Sequence, residues 1–458
     1  MSRRTVTFIT HEATRTGAPR VLLSLMQWLR ANSDLLMQTL AVNPGPLLPE
    51  FASLGRVVEM EGDWSHLLFL QRGMRLARQM TVGRLDRPFD ALVHRAAAQG
   101  LWLANARNLQ RLGECDLIYA NSVQSGWGVR SINSRAPLLS HLHELEDALL
   151  DPYEAPNVRT MCGARARQII VPAVAVRDLL VTRMGIEASR VNVLYPFITV
   201  PDKPVNRETR AAVRRALEIP EEAVVVGMSG AFILRKSPDR FIDIAARVVR
   251  HARGAPVYFV WIGGDAKLEY GRYMVTDVRR LGLTERFRHV TERIDPSPYL
   301  GALDIFLLSS RSDPFPLVCL EAAVHAEAPI VCFDQAGGMP ELVGHDCGIV
   351  VPYLDTVAGA DAVLRLVDDA AERRRLGANA AERVRSNHNV TRSAPAIAAM
   401  MAQVIERAAA ARLQASAGRS YASIQPAPAV NGAAPPAGLQ SDEERREPHG
   451  AGALVHAK

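Results

Sequence analysis

A strand, a short loop and an amphipathic helix are written twice in this chain, and that repeat limits its fold more than any other feature. "TVTFITHEATRTGAPRVLLSLMQWL" (5–29) passes from a β-rich apolar run through a loop containing Gly17 into a helical pattern with Leu22, Leu25, Met26 and Leu29 on one face. "AVVVGMSGAFILRKSPDRFIDIAARVV" (223–249) repeats the layout, with Phe241, Ile244, Ala245, Val248 and Val249 sharing a face. Further short apolar runs follow: "DLIYAN", "PLLSHLH", "QIIVPA", "VYFVWIGG", "DIFLLSS" and "PIVCFD". Such runs alternating with helical patterns predict an α/β fold with parallel sheets, helices on both faces, and one sheet in each of two domains.

The join is expected in "YPFITVPDKPVNRET", where Pro196, Pro201 and Pro204 punctuate a polar link. The expected domains are 1–198 and 199–408, with the last helix before 408 free to cross back to the first domain. From 409 to 458 the Ala, Pro, Gly and Ser content rises and periodic hydrophobics stop, which predicts a disordered tail.

Composition excludes some classes. Hydrophobic residues make up 48% of the 458, enough for a sizeable core, yet no run reaches the roughly 18 apolar residues of a membrane span. The apolar run after "MSRR" is too short for a secretory leader and reads as a first strand. Five cysteines (Cys115, Cys162, Cys319, Cys332 and Cys347), odd in number and without CxxC spacing, suit buried thiols in a cytoplasmic protein. Between Trp64 and Leu112 stand eight arginines against two aspartates, a surplus equal to the whole net charge of +6. A nucleic-acid surface would spread its basic residues and mix in aromatics. A membrane surface, an anionic substrate and a merely solvated helix face remain open for this stretch.

In parallel sheets, ligands bind beyond the carboxyl ends of the strands, where loops lead into helix N-termini. Gly17 lies in one such loop, with Pro19 expected at the first helical position. Lys236 lies in another, followed by Ser237 as an expected N-cap and Pro238 as first helical residue. Exposed amides and a lysine there suit a phosphate. "GAFILRKS" nearly spells a phosphate loop, but Arg235 replaces the second glycine, which argues against nucleotide hydrolysis of the P-loop kind. Asp313 and Glu321 stand eight apart in "SDPFPLVCLEAA", with a helix expected from near Leu317. They could be a helix cap and a water-facing acid, or two acids aimed at one cleft, since helical side chains tilt toward the N-terminus. Gly337 and Gly338 suit either close backbone approach or a turn. In "HLHELED", His141 and His143 would share a face if this is a strand. That leaves a metal pair conceivable, although Asp147 breaks HExxH.

"DPFPLVCLEAA…APIVCFDQAGGMPELV…CGIVVPYLD" resembles the C-terminal signature of the retaining family 4 (group 1) glycosyltransferases, which have the GT-B fold of two Rossmann-like domains facing across a cleft. The resemblance extends over about residues 5–400 and is strongest over about 224–355. It implies a nucleotide-diphosphate sugar as co-substrate, no cofactor and no metal, and a saccharide or lipid-linked acceptor in cell-surface polysaccharide synthesis. By position, Glu321 would hold the donor ribose, and Asp313, where the family has Glu, would contact the transferred sugar. Lys236 would meet the diphosphate and Gly17 would lie near it. Backbone at Phe315 and Leu317 would help hold the donor, and His143 would lie beside the donor sugar. An arginine that usually precedes the lysine is replaced by Gly230 and Ala231, with Arg235 as substitute. The catalytic set so implied is His143, Asp313 and Lys236. The family location is cytoplasmic at the inner membrane face, with peripheral contact through 64–112. A non-catalytic sugar-nucleotide-binding protein and a GT-B epimerase are the alternatives.

Overall fold

Continuous apolar runs form the centres of two sheets. The computed structural model describes residues 3–60, 105 and 107–422. In the first sheet, β1 (Thr5–Thr10), β2 (Leu36–Ala41), β3 (Arg56–Glu59), β4 (Leu117–Asn121), β5 (Leu138–His141), β6 (Ala166–Val171) and β7 (Val191–Val193) run in the order β3-β2-β1-β4-β5-β6-β7. In the second, β8 (Val224–Ser229), β9 (Val257–Ile262), β10 (Phe287–Val290), β11 (Ile305–Leu308), β12 (Ile330–Phe333) and β13 (Gly348–Val351) run β10-β9-β8-β11-β12-β13. Every pairing is parallel. Central strands such as β4 and β9 are buried along their whole length, as parallel strands covered on both faces must be.

Both sheets reverse their winding at one place, between β1 and β4 and between β8 and β11. At such a switch point the loops part and leave a crevice beyond the strand ends. The helices Gly17–Asn32 and Pro238–His251 bury the predicted stripes, with Leu22, Leu25, Met26 and Leu29 on the first and Phe241, Ile244, Ala245 and Val248 on the second.

The proline-rich link carries the chain from β7 toward β8. Its Ile198 pairs with Asn389 of a later crossing: Ile198 N donates to His388 O at 2.9 Å, and Val390 N donates to Ile198 O at 3.0 Å. Three local expectations fail. The first helix begins at Gly17, two residues before Pro19. Strand β5 ends at His141, so His143 stands in the following loop. The helix Val390–Ala422 runs past 409, where the tail was expected to lose structure, because its alanine-rich sequence favours a helix without needing a buried stripe. The basic stretch 64–112 lies outside the described residues apart from Asn105 and 107–112.

Candidate active site

The loops after β8 and β11 build an ionic cluster around Asp313. Its side chain is buried, 6% exposed. Lys236 Nζ donates to Oδ2, Arg235 Nη1 lies 3.1 Å from Oδ1, and Ser310 Oγ donates to Oδ2 at 3.2 Å. Burial alone would raise the Asp313 pKa, but the charges of Lys236 and Arg235 outweigh it and hold the carboxyl below its ordinary range. The lysine stem runs past Gly230, where an added Cβ would stand 3.3 Å from it.

Arg311 ties the two loops together. Its backbone N donates to Arg235 O at 2.9 Å, its Nη1 to Ser237 Oγ at 2.7 Å, and its guanidinium pairs with Asp239. Ser237 is fully buried and held in the left-handed region, φ 53°. It occupies the N-cap position of Pro238–His251, yet its hydroxyl donates to Leu234 O instead of capping the helix. A strained non-glycine turn of this kind costs about 1–3 kcal/mol and persists where its surroundings enforce it.

Asp313 is not a helix cap. The helix Leu317–Ala326 has Pro316 at its N-cap with no side-chain bond; Cys319 N donates to Pro316 O at 3.1 Å, while the Leu317 and Val318 amides before it have no acceptor within the helix. Nor does Glu321 face water, being 7% exposed. Its Oε1 accepts from Arg20 Nη2 at 2.5 Å, and Arg20 lies on the first-sheet helix Gly17–Asn32. Gly17 faces Leu317 Cγ at Cβ contact distance, 4.0 Å. The Gly17/Arg20 face of one helix therefore meets the Leu317/Glu321 face of the other. Around them Ser312 Oγ donates to Asp147 Oδ1 at 2.8 Å, and Glu341 accepts from the amides of Val174 and Ala175. Phe315 is buried and stacks on His388, centroids 5.3 Å apart, which anchors the Asp313 loop beside the paired crossings.

Parallel register places the ends of β1, β4 and β5 side by side: Thr10 opposes Asn121, and Asn121 opposes His141. The loops that follow bring His11, Asn121, His143 and Glu144 together. His143 Nε2 lies 2.8 Å from Asn121 Oδ1, and its ring packs on His141 at 4.1 Å. Burial, then His141 and His11, push the His143 pKa well below its usual value. Glu144 accepts from Ser122 Oγ and from the amides of Val123 and His143, although burial raises its pKa. Among the described residues, no three His, Cys, Asp or Glu side chains group as metal ligands. Arg20, Asn121 and Glu144 escaped sequence reasoning. Arg20 shares a helical face with Gly17, but only the packing of the two helices gives that spacing meaning.

Two Rossmann-like sheets whose strand-end loops converge on one cleft define the GT-B class. Residues 209–383 match the "Glycosyl transferases group 1" family and residues 52–200 match "Glycosyltransferase Family 4". The chain belongs to the group 1, family 4 glycosyltransferases. Over 279 residues it is 30% identical to the D-inositol 3-phosphate glycosyltransferase of Saccharomonospora viridis, spanning 56% of this chain and 63% of that relative. Over 167 residues it is 29% identical to the lipopolysaccharide core biosynthesis glycosyltransferase LpsE of Rhizobium meliloti, covering 36% and 46% of the two chains. The crystal structure of Anabaena Alr3699/HepE in complex with UDP-glucose shares the fold with a TM-score of 0.69 at 18% identity, covering 87% of this chain and 99% of that one.

Proposed function

We propose that this chain transfers a hexose from a nucleotide-diphosphate sugar to a saccharide or lipid-linked acceptor, with retention of configuration, at the inner membrane face. The observation that carries the reading is the pair of buried carboxylates flanking the uncapped start of Leu317–Ala326, each held by a cation from another loop or helix. Buried charges are costly unless paired, and a fold that needed only stability would do as well with apolar residues there. A sugar nucleotide offers what these pairs can exchange for: ribose and sugar hydroxyls to the two acids, and phosphates to Lys236 and Arg235. The HepE structures with UDP and UDP-glucose, and the core-synthesis relative, support the same chemistry.

In this mechanism the diphosphate draws Lys236 and Arg235 from Asp313. The carboxylate then accepts hydrogen bonds from the sugar, while Glu321 accepts them from the ribose. As the bond to the phosphate breaks, Lys236 and the first-turn amides of Leu317–Ala326 stabilise the leaving diphosphate. His143 lies on the first-sheet side of the sugar. Same-face attack by the acceptor, assisted by the departing phosphate, gives retention.

Calorimetry with UDP-glucose and UDP tests the reading. Asp313→Asn is expected to lower turnover by about 100-fold or more, because small misplacements at a reacting centre are expensive. UDP affinity should hold, since Lys236 is released to the phosphates. A stable Asp313→Asn protein with full turnover would remove Asp313 from the site. UDP-glucose consumed without a new glycoside would replace transfer by epimerisation or hydrolysis.

A further inference from the structure

Asn121, the last residue of β4, is fully buried, and both ends of its amide are engaged. Nδ2 donates to the carbonyl of Ala18 at 2.9 Å, and Oδ1 faces His143 Nε2 at 2.8 Å. These two contacts are not interchangeable. A backbone carbonyl only accepts, so the amide nitrogen must face Ala18. The amide oxygen must then face the imidazole, and an amide oxygen only accepts. His143 is therefore obliged to carry its proton on Nε2. In a neutral ring, Nδ1 is then a bare lone pair.

The surroundings keep the ring neutral. From β5, His141 packs against it; from the loop after β1, His11 lies close; beside it Glu144 is committed to Ser122 and two backbone amides. Tyr119 of β4 is engaged with His141 Nδ1 at 2.7 Å. Glu12, the acid next to His11, accepts from Thr16 Oγ1 at 2.6 Å. Neither of these carboxylates has a hydrogen bond to the His143 ring. Among the described residues no donor pairs with His143 Nδ1.

We propose that Asn121 is a positioning residue: by fixing the Nε2–H tautomer, it makes His143 present Nδ1 as a hydrogen-bond acceptor to a sugar hydroxyl in the cleft. The inference rests on the glycosyltransferase reading for the identity of that hydroxyl, but not for the tautomer. It also assigns Asn121 a second effect. The same amide grips Ala18, next to Gly17, so the first-sheet helix start and the imidazole are held by one side chain.

The test is nitrogen NMR of the full chain labelled with ¹⁵N-histidine, without ligand, with His143 assigned by its loss in His143→Gln. A pyrrole-type Nε2 and a pyridine-type Nδ1 are expected; the reverse tautomer would overturn the proposal. Asn121→Asp places a carboxylate on Nε2–H and favours the imidazolium, so the His143 titration should move up by about one pH unit or more. If the hydroxyl belongs to the donor, the acid-side loss of UDP-glucose affinity moves up with it; if to the acceptor, kcat/KM for the acceptor moves instead. A lowered melting temperature with an unmoved His143 titration would leave Asn121 a purely structural tie and refute the proposal. Absence of binding to every member of a panel of nucleotide-diphosphate sugars by the wild type would count against the glycosyltransferase reading and leave the tautomer result standing.

Discussion

At the scale of single residues, the cleft holds its acids in pairs that differ in strength, and the difference predicts what a ligand can displace. Arg20 is 42% exposed at its side chain, so its bond to Glu321 is an edge pair screened by solvent, worth about 0.2–1 kcal/mol. A ribose hydroxyl on the same carboxylate makes a charge-assisted bond worth about 1.5–3 kcal/mol. The ribose should win. Glu321→Gln is expected to weaken UDP binding by about tenfold or more, and Arg20→Met to tighten it by no more than about fivefold. Titration calorimetry on both variants checks this. Weaker UDP binding in Arg20→Met would mean that the arginine holds the donor itself. The Asp313/Glu321 spacing was legible because both acids interrupt an apolar run. Arg20 was not, because 301 residues of sequence separate it from its partner.

Among elements, legibility followed unbroken apolar runs: the buried central strand β2 went unread because its buried Gln38 and Thr39 interrupt the run. All six runs singled out beyond the two opening motifs became strands, since central parallel strands read as unbroken apolar stretches. Strands β2, β3, β7, β10 and β13 were not singled out. Edge strands such as β3 (Arg56–Glu59) and β10 (Phe287–Val290) mix exposed and buried positions, and their short runs carry little period. Loops were the least legible, because their shape comes from pairing across the sheet. The Gly337–Gly338 turn shows this. Asp313 N donates to Ala336 O at 2.7 Å, Gly338 N donates to Pro314 O at 2.8 Å, and Gly337 has φ 141°. A Cβ on Gly337 would stand 1.8 Å from the Asp313 carbonyl, so close approach, not turning alone, demands this glycine. Gly337→Ala should cost at least about 1–3 kcal/mol through the backbone conformation and displace the Asp313 loop. Its turnover should therefore fall more than its UDP affinity, measured alongside the melting temperature. Equal losses of both would mean that the loop positions the nucleotide rather than the sugar.

Over the whole chain, the excess charge sits in one stretch, and a membrane role for it can be tested. The +6 surplus is concentrated between Trp64 and Leu112, and the rest of the chain is balanced. Within that stretch Leu67, Leu70, Met74 and Ala77 recur at helical spacing in the sequence, with Arg72, Arg75 and Arg78 at other positions of that period, a spacing that a membrane-interface helix and a solvated helix face would share. Among the described residues no helix is long and apolar enough to cross a membrane. A lipid-linked acceptor would have to be met at the bilayer surface, and a basic stretch would hold the cleft there. Each arginine near an anionic leaflet contributes about 1 kcal/mol, so three engaged arginines should favour anionic over neutral vesicles by roughly a hundredfold. The attraction is electrostatic, so it should fade as salt shortens the screening length below about 10 Å. Sedimentation with phosphatidylglycerol and phosphatidylcholine vesicles measures both effects. Replacing Arg72, Arg75 and Arg78 with Gln should abolish the preference. Equal partitioning of the wild type onto the two lipids would end the membrane role. Binding to both lipids that survives high salt would shift the contact from charge to the apolar positions.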